Sequence, residues 1–119
     1  MTTTISGSNG IVFPDATSMQ TGQQAVKAWV NFDGDGTVSI RAGYNVASIT
    51  DIQTGNYRVN FTTPMTDANF SVSGNSNPNG FAGAYAGFNT LQTNSVEVEV
   101  RTNANAFIDS NIVLVAVFN

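Results

Sequence analysis

The chain contains no cysteine and no histidine. Without cysteine it has neither a disulfide framework nor thiolate chemistry, and its redox compartment is left open. Without either residue, serine, cysteine and most zinc chemistries lose their usual base or ligand. Charge is scarce as well, since 10% of residues are charged against roughly 25% in an average soluble domain. Four basic residues stand against eight acidic ones, a net charge of −4. The basic patch that a phosphate backbone requires is therefore missing, and nucleic acid is not an expected partner. Leucine is nearly absent, and the longest apolar run, residues 112–118, is far shorter than the ~20 residues that cross a bilayer as a helix. Residues 1–7 have neither the basic start nor the apolar core of a secretion signal. No membrane insertion, metal or cofactor is expected.

What the chain does hold is Val, Thr, Asn, Ser, Gly and Phe, a composition that favours strands and turns because β-branched and aromatic side chains pack well on a pleated surface. At 119 residues it is one domain, able to bury about two-thirds of its unfolded surface. Its polar surface is built from uncharged side chains, which can be covered by a partner with little charge desolvation.

The clearest element is the run Val26-Lys27-Ala28-Trp29-Val30-Asn31-Phe32, the turn Asp33-Gly34-Asp35-Gly36, and the answering residues 37–46. Val26, Ala28, Val30 and Phe32 share one face at period two, and Val38, Ile40, Ala42 and Tyr44 share one face of the next run, so the segment reads as an antiparallel hairpin. Residues 49–56 read as a turn region leading into the strand 57–62, in which Tyr57, Val59 and Phe61 point inward. Residues 69–74 repeat the alternation, and 75–80 form a loop by their turn chemistry. Residues 95–101 place three valines on one face and Glu97, Glu99 and Arg101 on the other. The last strand, 112–118, is apolar on both faces, so it must lie centrally or be covered by another subunit. Seven or eight strands at this spacing indicate an all-β fold, an antiparallel β-sandwich that is jelly-roll-like in the broad sense. Residues 25–119 would form it. Residues 1–24 would form an extended N-terminal arm, with its apolar island Ile11-Val12-Phe13 closed by Pro14 as a short edge strand or an extended stretch.

Three groups of residues invite a chemical reading. Asp33-Gly34-Asp35-Gly36-Thr37 has the carboxylates and flexible glycines of a calcium loop. Strands flank it, however, and the Glu that closes an EF-hand loop is missing, so a metal-free hairpin tip is expected. Glu97 and Glu99 lie on one strand face, their Cα atoms roughly 6.6 Å apart at a rise of about 3.3 Å per residue, near a spacing that glycosidase carboxylates use. Arg101 shares that face, which makes it a solvated one, and the chain is not read as an enzyme. Tyr85 with Asn77 and Asn79 combines an aromatic face with amide hydrogen-bonding groups, the makings of a glycan contact. The glycines of residues 81–88 lack the strand, helix and lysine of a phosphate cradle, and small residues between aromatics indicate a close backbone approach or a packed subunit seam.

The segment Lys27 to Arg41, with Tyr44-Asn45-Val46, Asn56-Tyr57-Arg58-Val59-Asn60-Phe61 and Met65-Thr66-Asp67-Ala68-Asn69-Phe70, resembles the distal β-sandwich modules of tailed-phage fibres and tailspikes, particularly those of aquatic and cyanobacterial phages. Ile11-Val12-Phe13-Pro14-Asp15-Ala16-Thr17-Ser18-Met19-Gln20-Thr21 resembles a fibre motif that reads Ile-x-Phe-x-Asp-Gly-Thr-x-x-Gln-Thr, with Ala16 in place of its glycine. The resemblance covers residues 11–70. It implies a homotrimer, no catalytic residues, and a place on the virion surface. Starting at Met1, the chain shows neither the attachment domain nor the shaft of a fibre, and small trimeric sandwiches of similar fold serve phages as capsid decoration, or cement, proteins. Two expectations follow. As a decoration protein the chain would bind the major capsid protein through Ile11, Val12 and Phe13 of the arm. As a fibre or spike tip it would bind host surface polysaccharide, through Asn77, Asn79 and Tyr85. In either case Trp29, Val113, Val115 and Val117 are expected at the trimer interface, Trp29 because with Lys27 and Asn31 it occupies the nominally polar face of its strand.

Overall fold

A computed structural model of the chain describes residues 4–7, 10–19, 26–77 and 85–119. The described residues are all β. Three short strands, β1 (Thr4–Ser6), β2 (Gly10–Val12) and β3 (Ser18–Met19), pair only with one another. Eight further strands make two four-stranded antiparallel sheets: β4 (Val26–Asp33), β5 (Ser39–Tyr44), β6 (Val46–Gln53), β7 (Asn56–Phe61), β8 (Ser71–Ser76), β9 (Tyr85–Gln92), β10 (Ser95–Arg101) and β11 (Val113–Phe118). One sheet has the order β6-β7-β10-β9 and the other β5-β4-β11-β8.

The sheets face each other because each central strand is apolar at every second position. Tyr57, Val59, Phe61, Val96, Val98 and Val100 project from one sheet, and Ala28, Val30, Phe32, Val113, Val115 and Val117 from the other, all buried. Burying each such side chain contributes about 1.5–3 kcal/mol for the valines and larger residues. Edge-to-face ring pairs fix the two ends of this layer, Phe32 with Tyr57 at 5.3 Å and Phe61 with Phe70 at 5.9 Å between centroids.

The tip of the β4–β5 hairpin is pinned to the core. Tyr57 is fully buried, and its hydroxyl lies 2.8 Å from the Gly34 carbonyl and 3.0 Å from Asp109 Oδ1 while accepting the Ser110 N–H. The phenol ring fills the space where any side chain at position 34 would sit, so glycine is required there.

Four sequence expectations are corrected. The last strand takes the central position between β4 and β8. Val113, Val115 and Val117 therefore belong to the chain's own core and are not available as a trimer interface, because their side chains are already covered by the opposite sheet. Residues 49–56 are not one turn region: β6 runs through Gln53 and only a tight turn at Thr54 and Gly55 precedes β7. This edge strand has few buried positions, so it lacks the apolar alternation that marks a strand in sequence. In the hairpin, a bulge between Asn31 and Phe32 breaks the alternation of β5. Ile40 pairs with inward Phe32, whereas Ala42 and Tyr44 pair with outward Asn31 and Trp29, so the four residues expected on one face are divided.

The fourth correction concerns the N-terminal segment. Ile11 and Val12 occupy the middle strand of a meander, not an edge, with Ile5 on one side and Met19 on the other in register with Ile11. Phe13 follows in a turn in which the Ala16 N–H donates to the Phe13 carbonyl and the Phe13 N–H to the Thr17 carbonyl. Pro14 takes the second position of that turn, where its fixed φ is favourable. Ala16 has φ +70°, the left-handed conformation that a glycine adopts without strain, so the turn keeps a glycine-like geometry without its glycine. The expected boundary between residues 24 and 25 lies outside the described residues.

Candidate functional site

The two sheets share a core but present opposite outer surfaces. On the β6-β7-β10-β9 sheet, period two turns Arg58, Asn60, Glu97, Glu99 and Arg101 outward, where the charged side chains pair with one another. Arg58 pairs with Glu97 at 2.9 Å and Arg101 with Glu99 at 3.0 Å. Asn89 donates to Glu99, Asn60 donates to Ser48 Oγ and Thr50 Oγ1, and the Arg101 guanidinium lies 4.0 Å from the Phe107 ring centroid. Each carboxylate of the Glu97 and Glu99 pair is thus held by a cation.

On the β5-β4-β11-β8 sheet the same periodicity turns apolar side chains outward. Trp29 pairs with Tyr44 on β5 and with Ala116 on β11, and Asn31 pairs with Leu114. Trp29 is 41% exposed, Tyr44 58%, Leu114 39% and Phe118 40%. A shallow groove of about 440 Å³ runs past Trp29, Asn31, Ser73, Asn75 and Leu114. Trp29 accordingly stands where the sequence placed it, on the face opposite Val30 and Phe32.

At the end of this face lies a second concavity, of about 530 Å³, lined by Lys27, Tyr44, Asn45, residues 62–66 and Asn119. Its floor is built by Asn45, which sits at φ +56° between β5 and β6. The Asn45 side chain donates to the Lys27 and Thr63 carbonyls, both at 3.0 Å, and accepts the Thr63 N–H; its carbonyl accepts the Thr62 N–H. The Met65 N–H reaches the Thr93 carbonyl, and the Asn119 amide donates to Thr66 Oγ1 at 2.8 Å. Sequence reasoning missed this cleft, because its walls come from four separated segments. The one local signal was Asn45 itself, an asparagine between two strand runs where a left-handed residue is tolerated.

The other anticipated residues are dispersed. At the β4–β5 turn, Asp33 Oδ1 accepts the Asp35 N–H at 2.9 Å and Oδ2 lies 3.5 Å from Arg41, so that carboxylate closes its own turn. Among the described residues no group of three or more acidic side chains converges as a metal site. Asn77 is exposed after β8, with its N–H on the Ile112 carbonyl. Asn79 lies outside the described residues. Tyr85 begins β9, in register with Arg101. Gly87 has open space around it, so no close backbone approach occurs there.

The class that fold and surface define is a small antiparallel β-sandwich with one ion-paired polar face and one face on which Trp29, Tyr44, Leu114 and Phe118 are exposed. No protein-family model matches the chain, and no curated protein or solved structure does so.

Proposed function

We propose that the chain is a structural protein of a phage virion, a homotrimeric capsid decoration protein that binds the major capsid protein on the outer surface of the shell and stabilises it. The uncovered apolar face carries this reading: Trp29, Leu114 and Phe118 are large apolar side chains left half-exposed together on one sheet, the pattern of a subunit interface. The resemblance of residues 11–70 to phage sandwich modules supports the virion assignment. The separate N-terminal meander, with Ile5 83% exposed, supports attachment through residues 4–19.

Decoration of shells lacking the protein tests it. Purified chain should sediment as a trimer and bind such shells, and a chain without residues 2–24 should keep its sandwich fold yet fail to bind. A monomer at micromolar concentration, or undiminished binding by the truncated chain, would overturn the respective part of the proposal. A second reading, a receptor-binding tip of a tail fibre or tailspike, is favoured by the cleft beside Lys27. Location at the tail of intact particles instead of on the capsid lattice would select it.

A further inference from the structure

The chain has four basic residues, and three of them are spent within the molecule. Arg41 lies against Asp33, Arg58 against Glu97 and Arg101 against Glu99. Lys27 alone has no acidic partner among the described residues, in a protein with twice as many acids as bases. It lines the cleft of about 530 Å³, where the polar groups around it are the threonines at 62, 63 and 66 and the Asn119 amide, beside the exposed ring of Tyr44. Asp67, next in sequence to the cleft residue Thr66, accepts the Asn69 N–H at 2.8 Å and does not line the cleft.

The cleft is also pre-organised. Asn45 ties the backbone of β4 to that of the loop after β7 through three side-chain hydrogen bonds, so the spacing between Lys27 and the threonines is fixed before any ligand arrives. Rigid walls lower the ordering cost of binding.

We propose that this cleft binds a carboxylated sugar, a uronate or similarly acidic residue of a polysaccharide, with its carboxylate on the Lys27 ammonium and its ring against Tyr44. A cation beside an aromatic face and several hydroxyls matches that chemistry as a whole. A bare anion would leave Tyr44 without a role, and a neutral sugar would leave Lys27 without one. The volume, about 530 Å³, lies within the range of small-ligand sites. The site stands independently of whether the chain sits on the capsid or the tail.

Calorimetric titration of the full chain with trigalacturonate and with an N-acetylneuraminate trimer tests it, with neutral galactotriose and inorganic phosphate as comparisons. At least one acidic trimer should bind with Kd below about 1 mM, a modest small-ligand affinity. Galactotriose and phosphate should each bind at least tenfold more weakly, and Lys27→Gln and Tyr44→Ala should each weaken the acidic trimer at least tenfold. Absence of binding by both acidic trimers at about 10 mM overturns the proposal, as does equal affinity for the neutral trimer or for phosphate, or unchanged binding by Lys27→Gln. Should Lys27→Gln fail to fold, the wild-type chain decides. Affinity that falls with added sodium chloride supports a charge contact at this exposed site, and affinity independent of salt overturns it.

Discussion

The outer faces of the two sheets are built on central strands that alternate alike, β7 and β10 in one and β4 and β11 in the other, yet one is closed and the other open. On the β7–β10 face each arginine has a glutamate, and Asn60 and Asn89 bond to neighbouring hydroxyls and a carboxylate. On the β4–β11 face, Trp29, Tyr44, Leu114 and Phe118 meet water. The closed face ties its charged groups together, and its exposed apolar residues, Ile52 and Leu91, lie apart on the two edge strands. The open face has unrealised free energy, because about 25 cal/mol is gained for each Å² of apolar surface removed from water. A strand pattern therefore locates a partner surface less by its polarity than by what is left unsatisfied once the sheet has formed.

The largest effect separating the two faces should come from charging the open one. Trp29→Asp with Leu114→Asp should weaken self-association at least a hundredfold, about 2.7 kcal/mol, while the far-ultraviolet circular dichroism of the sandwich stays unchanged. Equilibrium sedimentation reads the first and thermal melting at low concentration the second. The comparison breaks if the double variant associates as before. The control on the closed face, Arg58→Met with Glu97→Leu, should leave the association constant where it was.

Beneath both faces, Tyr57 couples the sheets and predicts a pH dependence that neither surface shares. Burial pushes its phenol pKa well above the ordinary value of about 10, and the Asp109 carboxylate adds to this while the Ser110 N–H acts against it. Because the folded value is raised, the unfolded chain ionises first. The stabilisation is complete below about pH 10 and is lost as pH rises toward the folded value, at up to about 1.4 kcal/mol per pH unit. Urea midpoints between pH 9 and 11.5 should show that decline. Tyr57→Phe should abolish this contribution and, by stripping the Gly34 carbonyl and Asp109 of a donor, cost about 1–3 kcal/mol at neutral pH.

A smaller effect measures how firmly the closed face is closed. The Arg58–Glu97 pair is 2.9 Å long, but the Arg58 side chain is 41% exposed and that of Glu97 13%, so solvent screens much of the attraction. A double-mutant cycle with Arg58→Met and Glu97→Gln should return a coupling of about 0.5–1 kcal/mol that shrinks with added salt. A coupling that salt does not change would mean that the face is held by packing instead of charge.

The strands buried on one side were legible in the sequence, and the rest was not, for physical reasons that differ by residue. Tyr57, Val59 and Phe61, and the three valines of β10, announce themselves because a half-buried central strand must alternate. The edge strands β5 and β6 escape that rule: they touch the core at few positions, and the bulge opposite Asn31 and Phe32 shifts Tyr44 to the outer face with Trp29. The double apolarity of β11 was ambiguous between a central position and a covered one. Its inner valines proved to be core, while Leu114 and Phe118 supply the open surface. The Lys27 cleft could not be read at all, since hydrogen bonds from Asn45 to Lys27 and Thr63 create it only when residues eighteen apart on either side of Asn45 meet. The meander was half-legible: Pro14 announced an interruption after Ile11-Val12-Phe13, but nothing in so polar a stretch announced that residues 4–19 pair among themselves.

That meander belongs to neither face and yields the smallest effect, a local one. Asp15 Oδ1 accepts both the hydroxyl and the N–H of Thr17, at 2.6 and 3.0 Å, and these bonds hold its carboxyl below the ordinary value of about 3.9. With the folded value depressed, the turn is supported above about pH 4 and loses that support as pH falls through the folded value. Asp15 is fully exposed, so the melting temperature of the sandwich should not follow its protonation. The Thr17 amide resonance should instead titrate with a midpoint below that of Asp15 in a short unstructured peptide, and Asp15→Asn should remove the titration. Ala16→Gly, which relieves the left-handed alanine between these two residues, should tighten the same turn by about 0.5–1 kcal/mol, seen as slower exchange of the Phe13 and Ala16 amides that close it. If those amides exchange faster with glycine, its added freedom in the unfolded chain outweighs the strain, and Ala16 is better suited to the turn than the glycine of the fibre motif.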